Sequence, residues 1–108
     1  MTRLSTHVLD TERGMPAAGV LVRLLRDDQA LAHALTAADG RIGDLAGGAI
    51  EPGEYRLVFE VAAYFEAQQR TAPFLRRVSI EFAVGAADTH LHVPLLLSAY
   101  ACTAYRGS

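Results

Sequence analysis

Lysine is absent from this 108-residue chain, and its ten cationic side chains are all arginines. They are scattered rather than clustered, and the formal net charge is -2. A nucleic-acid surface needs a basic stripe that neutralises phosphates, so a nucleic-acid partner is not expected. Cysteine occurs once, as Cys102, which excludes an intrachain disulfide and suits a reducing compartment. No apolar run approaches the roughly 20 residues that a membrane-spanning helix needs, so no membrane partner is expected either. The opening "MTRLSTHVLD" lacks the apolar centre of a signal peptide, and a cytoplasmic protein is the resulting expectation. Repeats, linkers and low-complexity stretches are also missing. A single domain over residues 1–108 is expected, because a chain this short rarely builds two cores.

What is present alternates. In "RRVSIEFAVG", Val78, Ile80, Phe82 and Val84 share one face of a half-buried strand, and Gly85 closes it. "GEYRLVFE" places Tyr55, Leu57 and Phe59 on one face after a turn at Pro52-Gly53. "GVLVRLLRDD" sets Val20, Val22 and Leu24 against Leu21, Arg23 and Leu25, with a turn at Asp27-Asp28. "LSTHVLD" is a further strand, stopped by a loop carrying Gly14, Pro16 and Gly19. A strand up to Thr36 precedes a turn at Asp39-Gly40. "AAYFEAQQR" breaks the alternation with good helix formers, which predicts a short helix over Ala62 to Gln69, with Pro73 preventing continuation. The segment from Asp88 onward reads as two strands joined near Ser98-Ala99. Pro94 inside the first of them predicts an edge or an irregular position. Seven or eight short strands with one helix make an all-β protein, an antiparallel β-sandwich.

Four polar features exceed what a sandwich requires: His7, the "DGR" of Asp39 to Arg41, the "HLH" of His90 to His92, and the final "YRGS". A strand histidine alone is more often a core or surface residue than a catalyst, yet its proton affinity suits taking a proton from water near neutrality. His90 and His92 are two apart, so a strand points both to one face, where they could supply two metal ligands. Two ligands do not close a site. His7 could add a third through the fold, but no cysteine or further histidine spacing completes the set, and no metal is expected. An arginine after "DG" is usually solvated, whereas a turn-anchored guanidinium offers a rigid donor fork to a carbonyl or an anionic ring. His33 has no evident partner and reads as structural. Chain ends are commonly mobile, but the strand-like "YACTAY" leaves little to fray before Ser108.

Together "LSTHVLDTERGMPAAGV", "TAADGRI" and "HLHVPLLLSAYACTAYRGS" resemble the 5-hydroxyisourate hydrolases, the enzymatic branch of the transthyretin-like family. The resemblance covers nearly the whole chain. It implies a transthyretin-like two-sheet antiparallel β-sandwich of about eight strands, with a short helix between the fifth and sixth. It also implies a homotetramer, a dimer of dimers whose sites lie at subunit interfaces along a central channel. Residue by residue, the histidine of the family's "THVLD" is His7, the arginine of its "DGR" is Arg41, and the histidine before "VPLLLS" is His92. Its "YRGS" is Tyr105, Arg106, Gly107 and Ser108, and His90 is the other histidine of its "HxH". The chain departs from the family where a proline and a glycine normally lie between "LLLS" and "YRGS".

The activity so implied is hydrolysis of 5-hydroxyisourate to 2-oxo-4-hydroxy-4-carboxy-5-ureidoimidazoline, with no cofactor. The catalytic set carried over is His7, Arg41, His92 and Ser108: histidines for proton transfer, Arg41 for the developing oxyanion, and Ser108 to place water or orient a histidine through its hydroxyl or a terminal carboxylate. Substrate binding would fall to Arg41, Tyr105, Arg106, Gly107 and Ser108, although Arg106 could instead neutralise that carboxylate. A serine nucleophile ranks lower, since no nucleophile elbow is present. The alternative from another class is a non-catalytic carrier of small hydrophobic molecules on the same fold, a branch that lacks this histidine, arginine and "YRGS" set.

Overall fold

A computed structural model describes residues 1–108. In chain order its elements are β1 (Arg3–Asp10), β2 (Met15–Pro16), β3 (Leu21–Arg26), β4 (Gln29–Leu35), β5 (Arg41–Ile42), β6 (Gly53–Phe59), α1 (Val61–Glu66), β7 (Val78–Val84), β8 (His90–Leu97) and β9 (Cys102–Ala104). The strands form two sheets, one ordered β4-β3-β6-β7 and the other β2-β1-β8-β9, with β5 also paired to β1. The all-β sandwich expected from the alternation is therefore present. The strand count rises to nine because β2 and β5, of two residues each, arise inside what the sequence presents as loops. Counting β2 also moves α1 to the gap between the sixth and seventh strands.

Period-two burial builds the core between the sheets. Val22 and Leu24 of β3 and Tyr55, Leu57 and Phe59 of β6 point inward, as do Val78 and Val84 at the ends of β7. Leu4 and Val8 of β1 meet them from the opposite sheet with Leu95 and Leu97 of β8, all four fully buried. Each such side chain contributes about 1.5–3 kcal/mol by leaving water. The β3–β4 hairpin closes at Asp27-Asp28, whose φ angles of 53° and 63° are those of the mirror-image turn that matches strand twist.

Two local readings are refined. The helix starts one residue earlier than its composition indicates and stops at Glu66, not Gln69. Its end is a Schellman closure. Gln69 N–H donates to the Glu66 carbonyl and Arg70 N–H to the Phe65 carbonyl, both at 3.0 Å, with Gln69 at φ 55°. Pro94 sits on an interior strand rather than an edge, since β8 lies between β1 and β9. Its position is nonetheless irregular. The His92 carbonyl accepts from Gly107 N–H on the β9 side, and alternation sends the backbone of residue 94 to that same side. The missing N–H of Pro94 therefore faces β9, and the ladder of Leu95–Leu97 with Cys102–Ala104 lapses there.

The β1–β8 pairing is the one parallel contact, in register from Arg3↔His90 to Asp10↔Leu97, and every other pairing is antiparallel. Its far end is fixed by Asp10, which is fully buried. Asp10 accepts hydrogen bonds from Tyr64 Oη at 2.8 Å, Arg70 Nη1 at 2.7 Å and the N–H groups of Glu12 and Arg13 at 3.1 Å. Burial alone would raise its pKa, but the bonds from Arg70, Tyr64 and Arg13 outweigh it and hold the carboxyl below its ordinary value.

Candidate active site

The polar features collect on the outer face of the β1–β8 sheet. Along β1, Leu4, Thr6, Val8 and Asp10 face the core, which leaves Ser5 and His7 on the other side. Along β8, Leu91, Val93, Leu95 and Leu97 face inward, and His90, His92 and Pro94 outward. The parallel register sets Ser5 beside His92 and His7 beside Pro94. β5 then places Arg41 opposite His7, with Ile42 buried and Arg41 exposed.

The "DGR" turn is built to hold that arginine. Gly40, at φ 78°, donates its N–H to the Ala37 carbonyl at 2.8 Å, while its own carbonyl accepts from Val8 N–H at 2.8 Å. A side chain at position 40 would collide with the Val8 carbonyl oxygen, so only glycine lets the turn lie this close to β1. The Asp39 carboxylate accepts from Arg41 N–H at 3.0 Å. His7 Nε2 lies 2.9 Å from the Asp39 carbonyl. A carbonyl only accepts, so Nε2 carries the hydrogen, and Nδ1 is the nitrogen left to exchange protons.

Beside this turn, Ser5, Thr6, Arg41, Ile42, Gly43, His90, His92 and Ser108 line a recess of about 450 Å³. Three of the four expected catalytic residues, Arg41, His92 and Ser108, meet there. His7 lies at the edge, paired to Arg41 and close enough to act electrostatically on His92. Ser108 arrives because the chain re-pairs after Pro94, Gly107 N–H donating to the His92 carbonyl at 2.7 Å. Gly107 packs against the His92 ring so closely that a Cβ there would sit 2.7 Å from Cδ2. Tyr105 and Arg106 are placed elsewhere. Both line a separate, largely apolar hollow with Phe82 and Leu91, and the Arg106 guanidinium donates to Asp88 at 3.0 Å.

His92, like His7, is half-buried, whereas His90 and Arg41 are exposed. Lost hydration lowers the pKa of His92 below the usual 6.5, and the Arg41, His7 and His90 charges push in the same direction. The ring is therefore neutral near pH 7 and able to accept a proton. Its Nδ1 lies 2.8 Å from Ser5 Oγ, and the same hydroxyl lies 2.8 Å from His90 Nε2. The Nε2 of His92 has no partner within the chain and is open to solvent.

Sequence reasoning passed over Ser5 and Thr6. Ser5 was findable in part, because it shares a strand face with His7. Its contact with the two histidines depends on β1 pairing with β8, some 85 residues away along the chain. Thr6 faces inward and donates to the Val93 carbonyl at 2.6 Å, which ties the two strands together beneath the recess. His33 lies on β4, in the other sheet. No three His, Cys, Asp or Glu side chains converge in a way that could hold a metal ion.

The family described as HIUase/Transthyretin matches residues 4–107. A 5-hydroxyisourate hydrolase of Caulobacter vibrioides is 47% identical over 115 residues, covering 100% of both chains. One of Pseudomonas aeruginosa is 41% identical, covering 100% of this chain and 93% of its own. Among solved structures, the 5-hydroxyisourate hydrolase of Klebsiella pneumoniae superposes with a TM-score of 0.93 at 39% identity over the full length of both. An (S)-allantoin synthase superposes at 0.87 and 34% identity, with this chain matching 44% of that longer one. The match over residues 4–107 and the full-length relatives lead to one assignment: the chain belongs to the HIUase/transthyretin family.

Proposed function

We propose that the chain is a 5-hydroxyisourate hydrolase that opens the substrate's six-membered ring by water attack. The observation that carries this reading is the convergence of Arg41, His92 and Ser108 on one recess, with a half-buried imidazole of lowered pKa in its lining. Its full-length relatives of that name support the same reaction.

His92 is the general base. Its Nε2 takes a proton from water as the water oxygen attacks the ring carbonyl, a contribution typically of about 10²–10⁴-fold. Arg41 anchors the planar substrate and carries the negative charge that develops on the carbonyl oxygen, worth about 3 kcal/mol for one well-aimed donor. The C–N bond then breaks, and the leaving nitrogen receives a proton that His7 takes from solvent at Nδ1 and passes on, its Nε2–H staying on Asp39, while the proton gained by His92 returns to solvent. The Ser108 hydroxyl places the attacking water beside His92. Gly107 belongs to the site as the contact that seats the His92 ring. Arg106 is assigned to its ion pair with Asp88, which steadies the C-terminal segment, and Tyr105 to the apolar hollow beside it.

Residues 1–108 act as one domain. The recess is open to solvent within a single copy, and half-buried Leu9 and Leu96 flank it on the same outer face. We infer a homotetramer, a dimer of dimers, that brings this face of one subunit against another and shields the reacting ring from bulk water. A cytoplasmic location accords with the lone, unpaired Cys102. The carrier alternative has no use for a cationic and two basic groups gathered in one recess.

The test is to generate 5-hydroxyisourate in place from urate and follow its ultraviolet decay and the handedness of the product. Purified protein should accelerate the decay and yield one enantiomer, and His92→Ala should lose most of the acceleration. Equal decay with and without wild-type protein would refute the reading.

A further inference from the structure

The Ser5 hydroxyl stands between two imidazoles, 2.8 Å from His90 Nε2 and 2.8 Å from His92 Nδ1. It has one hydrogen to give. When it donates to one ring it accepts from the other, which couples the tautomers of the two histidines. We propose that Ser5 is a positioning residue that joins His90 to His92, fixing which nitrogen of His92 is bare and passing on the charge that His92 gains. The inference rests on the reading of His92 as the base.

The neutral arrangement that uses the Ser5 hydrogen and leaves His92 Nε2 bare toward the recess runs in one direction. In it His92 Nδ1–H donates to Ser5 Oγ, and the Ser5 O–H donates to His90 Nε2, whose ring keeps its hydrogen on Nδ1. The opposite arrangement puts the His92 hydrogen on Nε2, where it blocks proton abstraction. A histidine side chain in water prefers the hydrogen on Nε2, so the seryl link works against that preference.

Once His92 Nε2 has taken the proton from water, the same link can move the charge. The Nδ1–H bond of His92 breaks as its proton passes to Ser5 Oγ, and the seryl O–H bond breaks as its proton passes to His90 Nε2. His92 ends neutral with a hydrogen on Nε2, and His90 ends as the imidazolium. Every proton is accounted for, and no external donor is needed. Placement suits the transfer, because His90 is exposed and His92 only half so. A cation costs less where water reaches it. The charged and titratable groups facing His92 are Arg41 on β5, His7 on β1 and His90 on β8, and all three oppose a charge remaining on His92.

The register makes the geometry firm. Ser5 is directly opposite His92 in the parallel ladder, and His90 is one residue pair further along the same outer face. Ser5 is itself only 7% exposed, so water does not readily replace its hydroxyl.

The experiment compares wild type with Ser5→Ala, Ser5→Thr and His90→Ala, each checked for fold by circular dichroism and thermal unfolding. Ser5→Ala should lower kcat by roughly 10- to 100-fold with KM changed less than about threefold, in the range seen when an imidazole loses an orienting partner. The acid limb of its kcat/KM profile should move to lower pH, because the His92 imidazolium loses the acceptor and the neighbour that share its charge. His90→Ala should reproduce the fall in kcat, Ser5→Ala with His90→Ala should add little to either alone, and Ser5→Thr should restore most of the rate. Nitrogen-15 spectra of labelled protein give a readout independent of turnover: wild-type His92 should carry its hydrogen on Nδ1, and the Ser5→Ala protein on Nε2. A Ser5→Ala protein with wild-type kcat, or one slowed with an unmoved pH limb and an unchanged His92 tautomer, would overturn the proposal. Should wild-type protein fail to hydrolyse 5-hydroxyisourate, the functional reading falls, and the tautomer comparison still decides whether Ser5 sets His92.

Discussion

Gly107→Ala is the smallest change that should damage the site without damaging the fold. Gly107 has no positive φ, so alanine meets no backbone strain there, and losing a glycine from the unfolded chain favours folding by about 0.4–1 kcal/mol. The effect is steric. The added methyl would lie 2.7 Å from His92 Cδ2 and 3.2 Å from Pro94 Cγ, about 0.7 Å inside the 3.4 Å of ordinary carbon contact on the histidine side. The pyrrolidine ring of Pro94 is stiff, which leaves the imidazole or the C-terminal segment to move. If the imidazole moves, its 2.8 Å bond to Ser5 stretches and Nε2 shifts from its place in the recess. If the segment moves, the 2.7 Å bond from Gly107 N–H to the His92 carbonyl is lost and Ser108 leaves the recess. Either displacement approaches the 1 Å that can cost about 100-fold in rate. We expect kcat for 5-hydroxyisourate decay to fall by roughly 10- to 100-fold. Overpacking at this exposed segment should cost about 1 kcal/mol, which the glycine effect largely offsets, so the melting temperature should move little. Wild-type turnover in a Gly107→Ala protein would show that the ring's position is not set by this contact, and would refute the reasoning.

Other expectations concern the frame around the recess. Gly40→Ala should lower stability by about 2 kcal/mol or more in denaturant unfolding, because the new side chain meets the Val8 carbonyl at a φ of 78°; equal midpoints would refute it. Asp10→Asn should cost about 3 kcal/mol by leaving the Arg70 guanidinium without its carboxylate, and a loss under about 1 kcal/mol would contradict the network described. Because the folded pKa of Asp10 is depressed, its stabilisation is complete above the ordinary carboxylate value of 3.8 and lost as pH falls through the lower folded value. Acid unfolding of the wild type should therefore steepen below pH 3.8, and Asp10→Asn should remove that part of the dependence. Exhaustive chelation should leave hydrolysis unchanged; loss of activity restored by zinc would instead favour metal binding by His7, His90 and His92.

The sandwich was legible because its evidence is local. Val78, Ile80, Phe82 and Val84 announce a buried face by period two alone, and Asp27-Asp28 announces a hairpin by its turn chemistry. The end of α1 was less legible. Gln69 takes a left-handed conformation that composition assigns to glycine, and the helix that Ala67, Gln68 and Gln69 favour is closed early by backbone bonds. β2 and β5 were invisible for a different reason. Two residues cannot establish a period, and both strands exist only because β1 offers an edge for them to pair with.

The candidate site divides along the same line. His7, Arg41 and His92 stood out as polar residues in strand-like or turn contexts, and the resemblance ordered them. What no local pattern carries is how they are wired. Ser5 looks like an ordinary strand serine until β1 lies parallel to β8, and then alternation on two strands at once delivers one hydroxyl to two imidazoles. An antiparallel pairing of the same strands would reverse β8 and carry His90 and His92 to the other end of β1, near Leu9. The parallel pairing is thus the step that brings two histidines onto one serine hydroxyl. The same pairing seats Pro94 beside the return of the chain: its missing N–H opens the β9 side of the strand, so the chain leaves the ladder at Tyr105 and returns at Gly107, placing Gly107 against the His92 ring that Ser5 holds and Ser108 in the recess.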